Sequence, residues 1–266
     1  MVGRELGDLY PRHAPKPGPV RLEARGLSAR AAGGRALSDV SFSLHAGEVL
    51  GVGGLMGAGR TELFLHLLGA GGTRTAGDVF LAGRALRAEN PREAIEAGLS
   101  LVTEDRRRYG LILDQSVGFN LSLSTLRALS RGGFIDAAEE ELRGERDLSD
   151  LRIKTPGLST PVGSLSGGNQ QKVLFGRARR SDPSVLLLDE PTKGVDVGAK
   201  VEIYELINSL TARGMAVILT SSELPELIGV SDRILMMREG RIAGEFSRGE
   251  ATQERLIAAA LGQEMS

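Results

Sequence analysis

The feature that most constrains this chain is a glycine-rich octapeptide, Gly54-Leu55-Met56-Gly57-Ala58-Gly59-Arg60-Thr61, set between two segments of different period. Before it, Val49-Leu50-Gly51-Val52 is a short apolar run that reads as a buried strand. After it, Leu63, Phe64, Leu67 and Leu68 fall at helical spacing over Thr61 to Leu68. A strand, a tight glycine loop and a helix in that order converge bare backbone N–H groups and the positive end of a helix on one point, which suits an anion such as phosphate. The octapeptide fits the phosphate-binding pattern G-x-x-x-x-G-K-[ST] at every fixed position except one, where Arg60 replaces lysine. Arg60 keeps the charge, but a guanidinium is a broad planar fork and an ammonium a compact donor, so γ-phosphate alignment is expected to suffer. Taken alone, such a loop is also compatible with an ordinary glycine-rich turn.

The pattern around this loop sets the fold class. Residues 1–19, rich in proline and glycine, read as an interdomain linker or tail, and the folded domain is expected over 20–266. Val20 to Ala24 and Asp39 to Leu44 alternate like half-buried antiparallel strands. About 91–178 reads as a mainly helical subdomain, with the charged stretch Ala137 to Asp147 exposed. Val185 to Leu188 and Ala216 to Thr220 are buried strands on either side of a helix over Ala199 to Leu210, with Val201, Tyr204, Ile207 and Leu210 on one face. Arg233 to Met237 and Arg241 to Phe246 flank Glu239-Gly240 as a closing hairpin. Buried strands alternating with helices predict an α/β domain with a largely parallel sheet.

Composition narrows the function. The 266 residues include no cysteine, which excludes thiolate metal sites, a thiol nucleophile and a disulfide scaffold, and fits a reducing compartment. With 33 basic and 34 acidic side chains there is no basic surplus to bind nucleic acid. No apolar run approaches the length of a membrane span, and the N-terminus lacks the apolar core of a signal peptide, so a cytoplasmic protein is expected.

A second motif decides between the readings of the first. Leu165-Ser166-Gly167-Gly168-Asn169-Gln170-Gln171-Lys172 lies shortly before the apolar strand that ends in Asp189-Glu190. Ser166 and the glycines read as a helix N-terminus, where a hydroxyl and free N–H groups can grip an anion, although a serine-glycine cap is common by itself. Together with the loop at Gly54 and the strand at Val185, in this order, the set resembles the ABC ATPases. Leu165 to Gln171 is similar to their signature, and Val185 to Glu190 to their Walker B strand with its catalytic glutamate.

The resemblance implies a P-loop NTPase fold: an α/β ABC ATPase core with an antiparallel β subdomain and an α-helical subdomain. It implies ATP and Mg²⁺ as cofactors, with Gly54, Gly57, Ala58, Gly59, Arg60, Thr61, Glu62 and Glu104 on the nucleotide. Thr61, Asp189 and Glu104 would hold Mg²⁺, and Glu190 would orient or deprotonate the attacking water. Ser166, Gly167, Gly168, Asn169 and Gln170 would complete the site of a partner domain, which Asp196 of the D-loop Gly194-Val195-Asp196 would also touch.

Several positions depart from the family pattern in one direction. Glu104, in Leu101-Val102-Thr103-Glu104-Asp105, stands where the Q-loop glutamine is usual, and Ser222 stands in place of the switch histidine. His13, His45 and His66 lie elsewhere and read as surface or packing residues. Ala29, Arg30, Ala31 and Ala32 offer no ring to stack on adenine. The nucleotide-holding face is therefore degenerate while the signature is complete, a combination that resembles the second ATPase domain of the ribose, xylose and galactose class of bacterial sugar importers.

That resemblance implies as partners the N-terminal ABC domain of the same subunit, membrane permease subunits and, indirectly, a sugar-binding protein, with no nucleic acid. It places the domain peripherally on the cytoplasmic side of the inner membrane. Met1-Val2-Gly3-Arg4-Glu5-Leu6 resembles the segment after that family's first domain, so the chain reads as the second half alone, with weak or no turnover in isolation. Arg106-Arg107-Arg108, after the Q-loop, is expected to face the permease. A non-hydrolysing regulatory or structural half of the dimer is the alternative. An ABC ATPase of DNA repair or translation is disfavoured by the lack of a heptad insertion and of a basic surplus.

Overall fold

The computed structural model describes Tyr10, Arg12, residues 17–30 and residues 35–263. Its centre is a six-stranded sheet in the order β12-β11-β3-β10-β9-β6. The strands are β3 (Val49–Gly54), β6 (Leu99–Val102), β9 (Val185–Asp189), β10 (Ala216–Thr220), β11 (Arg233–Arg238) and β12 (Arg241–Ser247). All neighbours pair in parallel except β11 and β12. The unbroken apolar runs of β9 and β10 follow from this position, because a central parallel strand is covered on both faces.

Because strand side chains alternate, the sheet divides two cores. Val185, Leu187, Ala216 and Ile218 point toward an antiparallel layer. Leu186, Leu188, Val217 and Leu219 point toward helices. The antiparallel sheet has the order β2-β1-β4-β5, with β1 (Val20–Arg30), β2 (Leu37–His45), β4 (Thr73–Leu81) and β5 (Arg84–Ala85). Leu22, Val40, Leu44 and Val79 on its inner face pack around α1 (Arg60–Leu67) through Leu63, Phe64 and Leu67.

The helical side begins with α2 (Pro91–Ala97), capped by the Asn90 side chain on the Glu93 N–H and ended by left-handed Gly98. The stretch 91–178, expected to be mainly helical, is then interrupted by β6, which pairs with β9 at the sheet edge. Four residues are too few for a period to show, so this strand was not legible. The helical layer proper comprises α3 (Val117–Ser122), α4 (Leu126–Leu129), α5 (Ala137–Asp150) and α6 (Gly167–Arg180), with a two-stranded ribbon of β7 (Ser130–Arg131) and β8 (Phe134–Ile135) before α5. Asp147 of α5 accepts from Arg179 and Arg180 of α6, which clamps the two helices. The chain continues through α7 (Val197–Ala212) and α8 (Leu224–Val230) and ends in α9 (Gln253–Leu261).

Glu239 and Gly240, at φ of 52° and 78°, turn the β11–β12 hairpin as expected of a two-residue loop. No other residue fits at Gly240, since a Cβ would stand 1.9 Å from the Ala36 carbonyl oxygen. Residues 1–9, 11 and 13–16 of the stretch read as a linker lie outside the described residues. Arg12, however, pairs with Asp232 through a side chain only 3% exposed, and Tyr10 packs on Tyr204. No helix among the described residues is long and apolar enough to cross a membrane.

Candidate functional site

The functional residues gather at the C-terminal edge of the parallel sheet, where β3, β9 and β10 release their chains into loops. After β3 the glycine loop turns into α1. Gly54 has φ 149°, and a Cβ there would stand 2.5 Å from the Met237 carbonyl oxygen. Gly59, at φ 108°, occupies the N-cap of α1 without a side-chain cap, which leaves the N–H groups of the first turn facing outward. The Gly240 N–H donates to the Ala58 carbonyl at 2.8 Å, fixing the loop to the hairpin. A bare, positively biased cradle with Met56 fully exposed at its tip fits a phosphate.

Arg60 does not point into an empty cradle. Its Nη1 donates to Glu190 Oε1 at 3.2 Å and to the Ser221 carbonyl at 3.1 Å, with the two side chains only 17% and 10% exposed. Ser222 Oγ donates to the other carboxylate oxygen of Glu190 at 3.0 Å. The Glu190 N–H is held by Thr220 Oγ1 at 3.1 Å, and its backbone sits at φ 47°, a left-handed conformation that costs a non-glycine residue energy. Three of the predicted site residues, Arg60, Glu190 and Ser222, are thus one closed cluster. Both oxygens of the carboxylate assigned to water are already accepting hydrogen bonds.

Asp189 ends β9 and accepts from Thr220 Oγ1 at 2.6 Å. Burial chiefly pushes its pKa up, the Thr220 hydroxyl opposes this, and the negative charges of Glu104 and Glu190 add to the rise. A buried carboxylate with its charge disfavoured suits a cation, and the exposed Thr61 hydroxyl on the first turn of α1 is the other donor of the kind Mg²⁺ takes. Glu104 is committed elsewhere: Lys193 Nζ bonds its carboxylate, and that bond holds the Lys193 ammonium above its usual pKa. Glu62 is likewise turned away, accepting the Arg35 N–H at 3.1 Å. Among the described residues no cluster of three or more His, Cys, Asp or Glu side chains forms a metal site.

The signature segment has a different construction. Ser166 caps α6, accepting from the Asn169 N–H at 3.5 Å and its side-chain Nδ2 at 3.0 Å, while Asn169 Oδ1 accepts the Lys154 N–H at 2.8 Å. Ser166 remains exposed, whereas Gly168 is buried against α7, where a Cβ would stand 2.6 Å from that of Ala199. Gln170, expected to be offered to a partner, is 1% exposed and spends its amide nitrogen on the carbonyls of Val162, Gly163 and Leu165. It supports the signature loop from within the fold. Asp196 caps α7 through the Ala199 N–H at 2.9 Å.

Arg106 also departs from expectation. It turns inward, donating to the carbonyls of Lys193 at 2.8 Å and Gly194 at 3.1 Å and to Gln170 Oε1 at 3.4 Å, so it ties the Q-loop to the D-loop and signature helix. Only Arg107 and Arg108 of the run stay exposed. Nothing in an arginine triplet marks which member is inward; the tertiary fold decides that. His45 meets Glu48 at 3.0 Å and buried His66 the Gly71 carbonyl at 3.0 Å, both as packing residues, and His13 lies outside the described residues. Ala29 is buried and Arg30 exposed; Ala31 and Ala32 are outside the described residues.

Comparison with known proteins identifies the arrangement. The ABC transporter family matches residues 37–193, more than half of the chain, from β2 through the phosphate loop and signature to the residues after β9. The chain belongs to the ABC transporter family. A xylose import ATP-binding protein of Moorella thermoacetica is 47% identical over 265 residues, which cover 98% of this chain and 52% of that protein. A ribose import ATP-binding protein of Burkholderia pseudomallei is 51% identical over 267 residues, covering 98% and 51%. This ABC ATPase therefore spans about half the length of the curated relatives it matches. A nucleotide-free ATP-binding cassette from an ABC transporter superposes with a TM-score of 0.77 at 21% identity, over 90% of this chain and 96% of that one. The P-loop NTPase core with its antiparallel and helical subdomains, expected from the sequence, is the fold of these cassettes.

Proposed function

We propose that this ABC ATPase is the second, degenerate half of the ATP-binding subunit of a bacterial monosaccharide importer. Its signature completes a nucleotide site on the preceding N-terminal ABC domain, and its own phosphate loop forms the weaker site. Relatives named as xylose and ribose import ATP-binding proteins, matched over half their length, support the sugar-import assignment. On this reading the partners are that N-terminal domain and permease subunits at the cytoplasmic face of the inner membrane. A sugar-binding protein acts further upstream.

One observation carries the degenerate assignment: Arg60 is forked onto Glu190 and the Ser221 carbonyl instead of standing free over the cradle. A lysine here would offer a compact ammonium to two phosphates, while Arg60 is held by its planar donors to the residue meant to handle water. With Ser222 on the remaining oxygen, each oxygen of Glu190 already carries one donor, which restricts how the carboxylate can turn toward a water. The cradle N–H groups and the Arg60 charge remain suited to binding ATP, and Asp189 with Thr61 to holding Mg²⁺, whose role is to neutralise phosphate charge. The chain's own residues therefore support holding nucleotide more than cleaving it.

Sugar uptake by the intact importer separates this from a competent site. Ser166→Asp keeps a good N-cap but sets a negative charge where the partner's phosphate is expected, and should lower uptake by roughly 100-fold, the scale of losing a transition-state anion contact. Glu190→Gln should leave uptake near wild type. The opposite ranking would contradict the assignment. The reading as a non-hydrolysing regulatory half is favoured if Ser166→Asp also leaves uptake intact while nucleotide still stabilises the subunit.

A further inference from the structure

Behind the nucleotide face lies a buried carboxylate that the proposed function does not use. Glu226 on α8 is 1% exposed and accepts hydroxyl hydrogen bonds from three separate elements. Thr192 Oγ1, after β9, lies at 2.7 Å; the Tyr204 phenol, on α7, at 2.9 Å; and Ser221 Oγ, after β10, also donates. Three such donors satisfy a buried carboxylate, and the Lys200 ammonium, bonded to Glu223, also feels its charge. Burial, and then the Glu226 charge, hold the Tyr204 phenol above its usual pKa, so it stays a donor.

Ser221 is where this cluster meets the site. Its carbonyl receives Arg60 Nη1 at 3.1 Å, and its Oγ accepts the Glu223 N–H at 3.0 Å, closing the turn that carries Ser222. Whatever moves Ser221 moves both the Arg60 fork and Ser222.

At the opposite end, the Tyr204 ring meets Tyr10, with centroids 5.4 Å apart and planes at 46°. Tyr10 crosses α8 at Gly229, where a Cβ would stand 2.5 Å from Tyr10 Cβ and Cγ. Two residues later Arg12 pairs with Asp232 and donates to Asn208 Oδ1 and Thr211 Oγ1 at 3.0 Å and to the Gly47 carbonyl at 3.3 Å. Asp232 also accepts the Val49 N–H at 2.9 Å, at the start of the strand that leads into the phosphate loop.

We infer that the segment holding Tyr10 and Arg12 is a strap coupled to the nucleotide face, with Tyr204 and Glu226 as positioning residues that set Ser221 and, through its carbonyl, Arg60. Every contact in the path belongs to this chain, so the inference does not depend on whether the domain hydrolyses ATP. It assigns Tyr10 and Arg12 a role other than spacing: displacing them reaches the turn at Ser221 and Ser222 through packed, hydrogen-bonded side chains.

Amide hydrogen exchange of the whole chain without nucleotide tests this, read at Glu223, whose N–H reports on Ser221 Oγ. Gly229→Ala suits a helical position but evicts Tyr10, and Tyr10→Ala removes the ring directly. Either should speed Glu223 exchange by about 2- to 30-fold, the range of coupling seen along such paths, while Ile218 and Leu219 in β10 keep their rates. Tyr204→Phe, which keeps the ring and deletes the donor, should give the same rise, with nothing added by Gly229→Ala in the double variant. Tyr10→Phe should behave as wild type. Unchanged Glu223 exchange in Gly229→Ala and Tyr10→Ala, or effects that simply add in the double variant, would overturn the coupling.

Discussion

The phosphate loop and the signature helix are both glycine-rich helix starts, but they spend their polar groups differently. At the first, Gly59 leaves the helix end bare, and the side chain that follows is forked onto Glu190 and Ser221. At the second, Ser166 satisfies the cap locally and stays exposed, while the residues behind it, Gly168 and Gln170, are locked into the fold. One end is closed on the Glu190 carboxylate, and the other leaves its serine exposed. A glycine-rich motif thus says where an anion can be bound, and the partners of its neighbouring side chains say how free that place is.

Substitutions can break this contrast. Gly168→Asp has the largest expected effect: its Cβ would meet that of Ala199 at 2.6 Å, and overpacking of this kind costs about 1–3 kcal/mol in a denaturant titration. It therefore unpacks the signature as well as charging it. An unchanged midpoint would show that α6 and α7 are not closely packed there. Arg60→Lys comes next. Releasing Glu190 and restoring a compact donor should tighten ATP binding by about tenfold in a fluorescence titration, and a weakened Kd would show that the fork aids binding.

Asp189→Asn should raise stability without nucleotide by about 1 kcal/mol at neutral pH, because it removes a buried charge while keeping an acceptor for Thr220. The raised pKa means the native wild-type carboxyl takes its proton before the unfolded one as pH falls, so the advantage should vanish in acid. A loss of stability at pH 7 would mean that the ionised carboxylate is satisfied in the free chain. The smallest effect concerns His66. Burial lowers its pKa, so the unfolded chain is protonated first, and its contribution is full above about pH 6.5 and falls as pH drops below that. His66→Gln should flatten that part of the stability–pH curve.

Much of this arrangement was legible because it is local. The strand, loop and helix around Gly54 to Thr61, the cap at Ser166, the strand ending in Asp189-Glu190 and the hairpin at Glu239-Gly240 each have a short-range pattern with a physical cause. The departures at Arg60, Glu104 and Ser222 could be seen, but not their consequences. That Arg60 reaches Glu190 across 130 positions, or that Lys193 answers Glu104, follows only from the order of strands β3, β9 and β6 in the sheet. The family resemblance set Arg106 toward a permease and Gln170 toward a partner domain, and the fold ties both to the carbonyls of facing loops. Glu226 gave no sequence signal: a glutamate early in a short helix reads as solvated until three hydroxyls from distant segments converge on it.

The most direct test of the central claim is steady-state MgATP hydrolysis by this chain alone and mixed with the N-terminal ATPase domain proposed as its partner, each with and without Ser166→Asp. The account predicts little turnover by the chain alone, activity in the mixture, and loss of that activity by roughly 100-fold with Ser166→Asp. Hydrolysis by the chain alone as fast as by the mixture would contradict it, since Glu190 would then be free to act and the site at Arg60 competent.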